Sequence, residues 1–163
     1  MTASPAGRPG VLAILLAVQL ALLALAACTP SDGGRPVARF VVLEGGVVRD
    51  TRTGLEWTPD DGGRNLDWPA AERRCADLAL GGRGDWRLPT IDELFALYDE
   101  QASQPCGERT CRADPAITLT YPYFWSATGR ESSRRFYLDF QFGTRLAPVI
   151  RPTLVRRVLC VRG

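Results

Sequence analysis

Gly84-Asp85-Trp86-Arg87-Leu88-Pro89-Thr90-Ile91-Asp92-Glu93-Leu94 sets an extended entry, a forced break and a helix start back to back. Pro89 biases Leu88 away from helical dihedrals, so Trp86 to Leu88 read as extended. Thr90 followed three residues later by Glu93 is a capping box, in which each side chain satisfies a backbone donor at the helix's first turn. The spacing predicts a helix from Ile91 to near Gln101, with Ile91, Leu94, Phe95 and Tyr98 as its buried stripe. On the extended entry, Arg87 points opposite to Trp86 and Leu88, where a structural ion pair or bonds to carbonyls are expected of it.

Working back from this stretch, Asp67 reads as the N-cap of an earlier helix carrying Trp68, Ala71, Cys75 and Leu78 at helical spacing, with Gly81-Gly82 ending the run. Thr58 to Asn65 reads as a solvated polar loop; its Asp60 and Asp61 lack the alternating oxygen ligands of an EF-hand. Phe40 to Leu43, Glu44-Gly45-Gly46 and Val47 to Asp50 are strand, glycine turn and strand. After a second turn at Asp50 to Gly54, Leu55-Glu56-Trp57 resumes the sheet with Leu55 and Trp57 on one face.

Working forward, Ser103 to Asp114 reads as a loop, and Tyr123 to Thr128 as an aromatic core strand. Phe136, Leu138, Phe140 and Phe142 alternate with Tyr137, Asp139 and Gln141, the period of a strand with one buried face. Leu154 to Val161 is expected to form the last strand. Trp57, Trp68, Trp86 and Trp125 are expected in the core rather than as stacking platforms for sugars.

Upstream of the fold, Arg8 precedes an uncharged run from Val11 to Ala27 that ends in Leu25-Ala26-Ala27-Cys28. A positive start, an apolar stretch and small residues before a cut site make a secretory signal, and the tetrapeptide matches the bacterial lipobox. Residues 1–27 are therefore expected to be removed, with Cys28 lipidated as the first mature residue. Residues 28–38, rich in Pro, Gly and Ser, read as a flexible tether, and residues 39–163 as one folded domain. Thr29 after the cysteine favours the outer membrane of a bacterial envelope over retention at the inner one.

All 20 basic residues are arginines, and the chain has neither lysine nor histidine. That excludes serine–histidine and cysteine–histidine catalysis, Schiff-base chemistry and a P-loop. A formal net charge of +2 implies no nucleic-acid partner. No cofactor is expected. Four cysteines remain besides Cys28, with three possible pairings in an oxidising compartment. The gap from Cys106 to Cys111 suits a local clip, leaving Cys75 and Cys160 to join the first helix to the last strand. Cys-x4-Cys without histidine is poor spacing for zinc.

Charge is unevenly placed: residues 130–163 hold eight arginines against two acids. If Arg134, Arg135, Arg145, Arg156 and Arg157 share a face, their guanidinium forks fit sulfate or phosphate groups of a polyanion; the rival arrangement scatters them over solvent and against the acidic half.

The order of these pieces resembles the Lcl C-terminal domain family. The residues that carry the likeness are Asp50-x-x-Thr53-Gly54-Leu55-x-Trp57, Trp68-x-x-Ala71 with Cys75 and Leu78, Asp85-Trp86-Arg87-Leu88-Pro89-Thr90-x-x-Glu93-Leu94, Phe124-Trp125-Ser126 and Val158-Leu159-Cys160-Val161-Arg162. The resemblance implies an α+β fold, C-type-lectin-like or sulfatase-modifying-factor-like, with two helices beside short, irregular antiparallel sheets and disulfide stabilisation. It also supports the Cys75–Cys160 pairing. The Glu-Pro-Asn, Gln-Pro-Asp and Trp-Asn-Asp motifs of calcium-dependent lectins do not occur. The expected function is a non-enzymatic envelope lipoprotein, attached to the membrane through its lipid and binding a glycan, another polyanion or an envelope protein. The alternatives are a glycan-active enzyme using carboxylates such as Asp60, Asp61 or Asp139, and a purely structural envelope component.

Overall fold

The computed structural model describes residues 38–163. Strands β1 (Phe40–Val42) and β2 (Val48–Asp50) pair antiparallel across a 3-10 turn at Glu44–Gly46. Gly45 takes φ 78° there, and a Cβ on it would stand 2.9 Å from the Gly81 backbone, so glycine is required for two reasons. Strand β3 (Glu56–Trp57) extends the sheet. Two helices follow, α1 (Trp68–Ala76) and α2 (Ile91–Leu97). A small hairpin of β4 (Gln104–Cys106) and β5 (Arg109–Cys111) leads to a three-stranded sheet of β6 (Tyr123–Arg130), β7 (Arg134–Asp139) and β8 (Thr144–Leu146). The last strand, β9 (Val161–Arg162), returns to pair with β3, giving the first sheet the order β1-β2-β3-β9.

This is an α+β fold stabilised by two disulfides. Cys75 of α1 is bonded to Cys160 beside β9, and Cys106 to Cys111 across the small hairpin.

The Trp86–Glu93 stretch ties these parts together. Arg87 exchanges both backbone hydrogen bonds with Val161, each 2.9 Å, so the extended entry flanks the last strand. Thr90 then caps α2 with the reciprocal Glu93 bonds read from the sequence. The Arg87 guanidinium reaches the Glu93 carboxylate with two bonds of 2.7 and 2.8 Å, locking the entry to the helix it precedes. That bond holds the Glu93 carboxyl below its usual range, against the opposing push of burial, and raises Arg87.

The interior has two clusters, and alternation along the central strands sends neighbouring residues to opposite ones. Phe124, Leu138 and Leu159 pack with Leu94, Leu97 and Phe140 beneath α2. Trp125, Tyr137 and Cys160 pack with Ala71, Cys75 and Trp86 beneath α1. Trp57, Trp86 and Trp125 are buried, and Trp68 is half-buried.

Several expectations are corrected. Helix α2 stops at Leu97, not near Gln101, because Tyr98 turns extended; Leu97 is buried and Phe95 exposed. Helix α1 ends at Ala76, before the glycine pair, with Asp77 as its C-cap. Ser103 to Asp114 is not a loop throughout, because it contains the β4–β5 hairpin. Strand β7 buries residues of both faces and ends at Asp139, so Phe142 lies on a turn at 66% exposure instead of in the core. The last strand is confined to Val161–Arg162, and residues before it make single bridges, Leu66 to Arg156 and Phe124 to Arg157.

Candidate functional site: a tyrosine–arginine cluster

On β6, Tyr123 and Trp125 are two residues apart and share a face; Tyr121 precedes them, and Tyr137 of β7 pairs with Trp125. The rings meet edge to face, Tyr121 to Tyr123 at 5.4 Å, Tyr123 to Tyr137 at 5.7 Å and Tyr137 to Trp125 at 6.2 Å between centroids. Three guanidiniums lie over this row. Arg156 stands 4.6 Å from the Tyr137 centroid and 5.2 Å from Tyr123, Arg109 is 5.7 Å from Tyr123, and Arg157 is 5.8 Å from Tyr121. Ring quadrupoles attract these cations without neutralising them.

The backbone explains the convergence. Trp125 N–H donates to the Arg157 carbonyl and Arg157 N–H to the Tyr123 carbonyl, so the segment before β9 runs beside β6 and lays Arg156 and Arg157 on its rings. Trp125 Nε1 donates to the Leu66 carbonyl, and Leu66 in turn pairs with Arg156. Arg109 arrives from the disulfide-closed hairpin and donates to Tyr123 Oη at 3.1 Å and Gln141 Oε1 at 3.2 Å. Among the described residues, neither Arg109 nor Arg156 forms an ion pair. Among the described residues, Arg156 Nε is buried without a protein acceptor, and its Nη1 reaches only the Val155 carbonyl. Placed over rings and, in Arg109 and Arg156, without a carboxylate among the described residues, such guanidiniums keep N–H groups for an oxyanion.

The five arginines singled out from the sequence do not all meet. Arg156 and Arg157 join the cluster. Arg135 lies two positions before Tyr137 on β7, hence on the same face, and covers the Trp68 ring at 4.4 Å. Arg134 is spent on the Ala147 carbonyl at 3.0 Å and, at 3.9 Å, on Glu131. Arg145 is elsewhere: it pairs with Asp92 of α2 at 2.6 Å and covers Phe95. Arg162 is likewise occupied, by Glu56 and Asp85.

Asp61 is a further correction. In place of a solvated carboxylate it is 1% exposed, accepting from Thr120 N–H at 2.7 Å, Thr120 hydroxyl and Gly63 N–H, with Arg157 Nε 3.9 Å away. It thereby anchors the strand entry that carries Tyr121. Asp139 is also buried and accepts from Gln141 N–H, while Asp60 stays exposed and accepts from Gly62 N–H. Each of the three carboxylates thus supports its own turn. Among the described residues, no three cysteine, histidine or acidic side chains gather as a metal site requires. Cys28 lies outside the described residues, as do residues 1–27 and most of the tether.

Arg109, Tyr121, Tyr123 and Tyr137 are the members that sequence reasoning missed. The spacing Tyr121-x-Tyr123-x-Trp125 was the available signal, since it sets three aromatics on one side of an extended chain. Compared with known families, residues 46–162 match the family model described as the Lcl C-terminal domain. A comparison with curated proteins finds no match.

Proposed function

This chain belongs to the Lcl C-terminal domain family, and from that premise we propose that it is a non-catalytic binding module of the bacterial envelope that recognises polyanions. The observation that carries the reading is the set of Arg109, Arg156 and Arg157 guanidiniums laid over Tyr121, Tyr123 and Tyr137, two of them with no carboxylate partner among the described residues. Sulfate or phosphate groups on a glycan match such forks in shape and charge. Rings beneath the arginines keep them ordered, which lowers the entropy lost when a ligand binds. The separate structural duties of Asp61 and Asp139 favour binding over carboxylate catalysis. In this reading the signal of residues 1–27 is removed, lipid on Cys28 tethers the domain to the outer membrane, and envelope proteins are further partners.

The test is retention of the detergent-solubilised full chain on immobilised dextran sulfate. Retention should fall with added salt, and Arg109→Gln and Arg156→Gln should each weaken binding about tenfold. Arg145→Gln should change it little. Equal loss from all three substitutions would reduce the attraction to net charge and refute the site. Labelled palmitate should enter the wild-type chain and not a Cys28→Ala variant; unchanged incorporation would contradict the anchor.

A further inference from the structure

A second surface adjoins the cluster at Arg109, where the β4–β5 hairpin faces the turn from Asp139 to Gly143. Two open depressions, of ≈ 310 Å³ and ≈ 320 Å³, share one saddle formed by Arg112, Gln141 and Phe142. We propose that this double cleft binds a neutral oligosaccharide, with the apolar face of one sugar ring against Phe142. The inference does not rest on the polyanion reading.

Phe142 is the first reason. It is the most exposed large apolar side chain among the described residues, at 66%, and the turn that carries it is ordered. Asp139 accepts Gln141 N–H on its side chain and Gly143 N–H on its carbonyl, both at 2.8 Å. Gly143 takes φ 67°, and the Tyr98 ring lies so close that a Cβ there would stand 2.8 Å from it. An aromatic ring presented to water on a fixed turn carries an unfavourable hydration free energy that stacking against the apolar face of a partner relieves.

The polar groups around it are also fixed. The Cys106–Cys111 bond closes the hairpin, Arg112 N–H donates to the Phe140 carbonyl at 2.7 Å, and Arg112 Nη1 donates to the Glu100 carbonyl at 3.0 Å. Gln141 accepts from Arg109 through its oxygen, and its amide nitrogen has no protein acceptor among the described residues. The cleft therefore presents donors and acceptors in planar groups of set orientation, which suit adjacent hydroxyls on a ring.

Charge selects the class of ligand. Glu108 lines the first depression and Glu100 the second, against Arg109 and Arg112, and among the described residues neither acid forms an ion pair. With both signs facing the same space, an anion gains from one wall and is repelled by the other. An uncharged polyhydroxyl compound hydrogen-bonds to both. Two depressions astride one saddle accommodate more than one ring, so a disaccharide is the smallest ligand expected to fill them.

Calorimetric titration of the detergent-solubilised full chain with cellotetraose, chitotetraose, maltotetraose and xylotetraose tests the proposal. At least one is expected to bind, and Phe142→Ala to weaken that binding about tenfold, the worth of one aromatic stacking contact. Gln141→Ala should also weaken it, whereas Arg156→Gln should leave it unchanged. Phe142→Ala protein should keep its retention on dextran sulfate and its circular dichroism, which shows that it is folded. Absence of binding by all four tetrasaccharides at millimolar concentration, or binding indifferent to Phe142→Ala, would overturn the proposal while leaving the polyanion site to its own test.

Discussion

Breaking the Cys75–Cys160 bond should cost far more stability than breaking Cys106–Cys111, and the difference follows from the loops they close. The first joins residues 85 apart and the second residues 5 apart. On the chain-entropy account, the longer link removes about 15 cal/mol/K from the unfolded ensemble, or about 4.6 kcal/mol at room temperature; the shorter removes about 2 kcal/mol. All four cysteines are buried, so the alanine replacements leave similar small voids in both proteins and the loop length alone sets the gap. Urea unfolding of the Cys75→Ala/Cys160→Ala and Cys106→Ala/Cys111→Ala proteins measures it directly. The first should lose at least about 2 kcal/mol more than the second, and its urea dependence should steepen because the freed chain exposes more surface on unfolding. Equal losses, or a larger loss from the small hairpin, would refute the argument that the long covalent loop restrains the unfolded state.

Asp61→Asn should destabilise by about 2–3 kcal/mol in the same urea assay, since it disturbs a buried acceptor of the Thr120 bonds and leaves Arg157 without its anion; a loss near zero would show that Thr120 and Gly63 hold the turn alone. Thr90→Ala should remove about 1 kcal/mol by uncapping α2, read as a lower thermal midpoint. Acid should weaken the fold in a defined direction. Burial pushes the Asp50 carboxyl up, but bonds from Arg39, the Arg52 N–H and Thr53 outweigh it and hold the group below its ordinary value; Glu93 is lowered by Arg87. Both therefore stabilise in full above the ordinary carboxylate range and lose that contribution as pH falls through and below it. Stability measured from pH 6 downward should decline less steeply in Asp50→Asn than in the wild type.

What could be read in advance was what lies within one turn of chain. Thr90 with Glu93, and Asp67 with Ala70 N–H, make caps from residues three apart, and both were legible. Asp61 was not, because its burial depends on Thr120 and Arg157, which only the fold brings to it. Phe142 continued a clean alternation, yet Asp139 turns the chain by accepting from Gln141 and Gly143, and a side-chain acceptor inside a strand pattern leaves no trace in hydrophobic period. Tyr137 faced inward for a similar reason: α1 and the segment before β9 cover the second face of β7, and that cover comes from both sides in sequence. The arginine-rich C-terminal segment was legible as composition, but its division between rings, carbonyls and acids depends on the register of Arg157 beside Phe124.

The Cys75–Cys160 bond also decides how the domain meets mechanical force. A load applied between its N-terminal side and its C-terminus bypasses everything inside the covalent ring, so α2, the small hairpin and the three-stranded sheet bear no tension. Only β1 to α1 and the final three residues are free to unravel, a length of roughly 140 Å at full extension. Peeling β1 from β2 one bond at a time would be the first event, and the aromatic–arginine face would hold until the pull reached Asp61 and Leu66, whose bonds to Thr120, Trp125 and Arg156 it depends on.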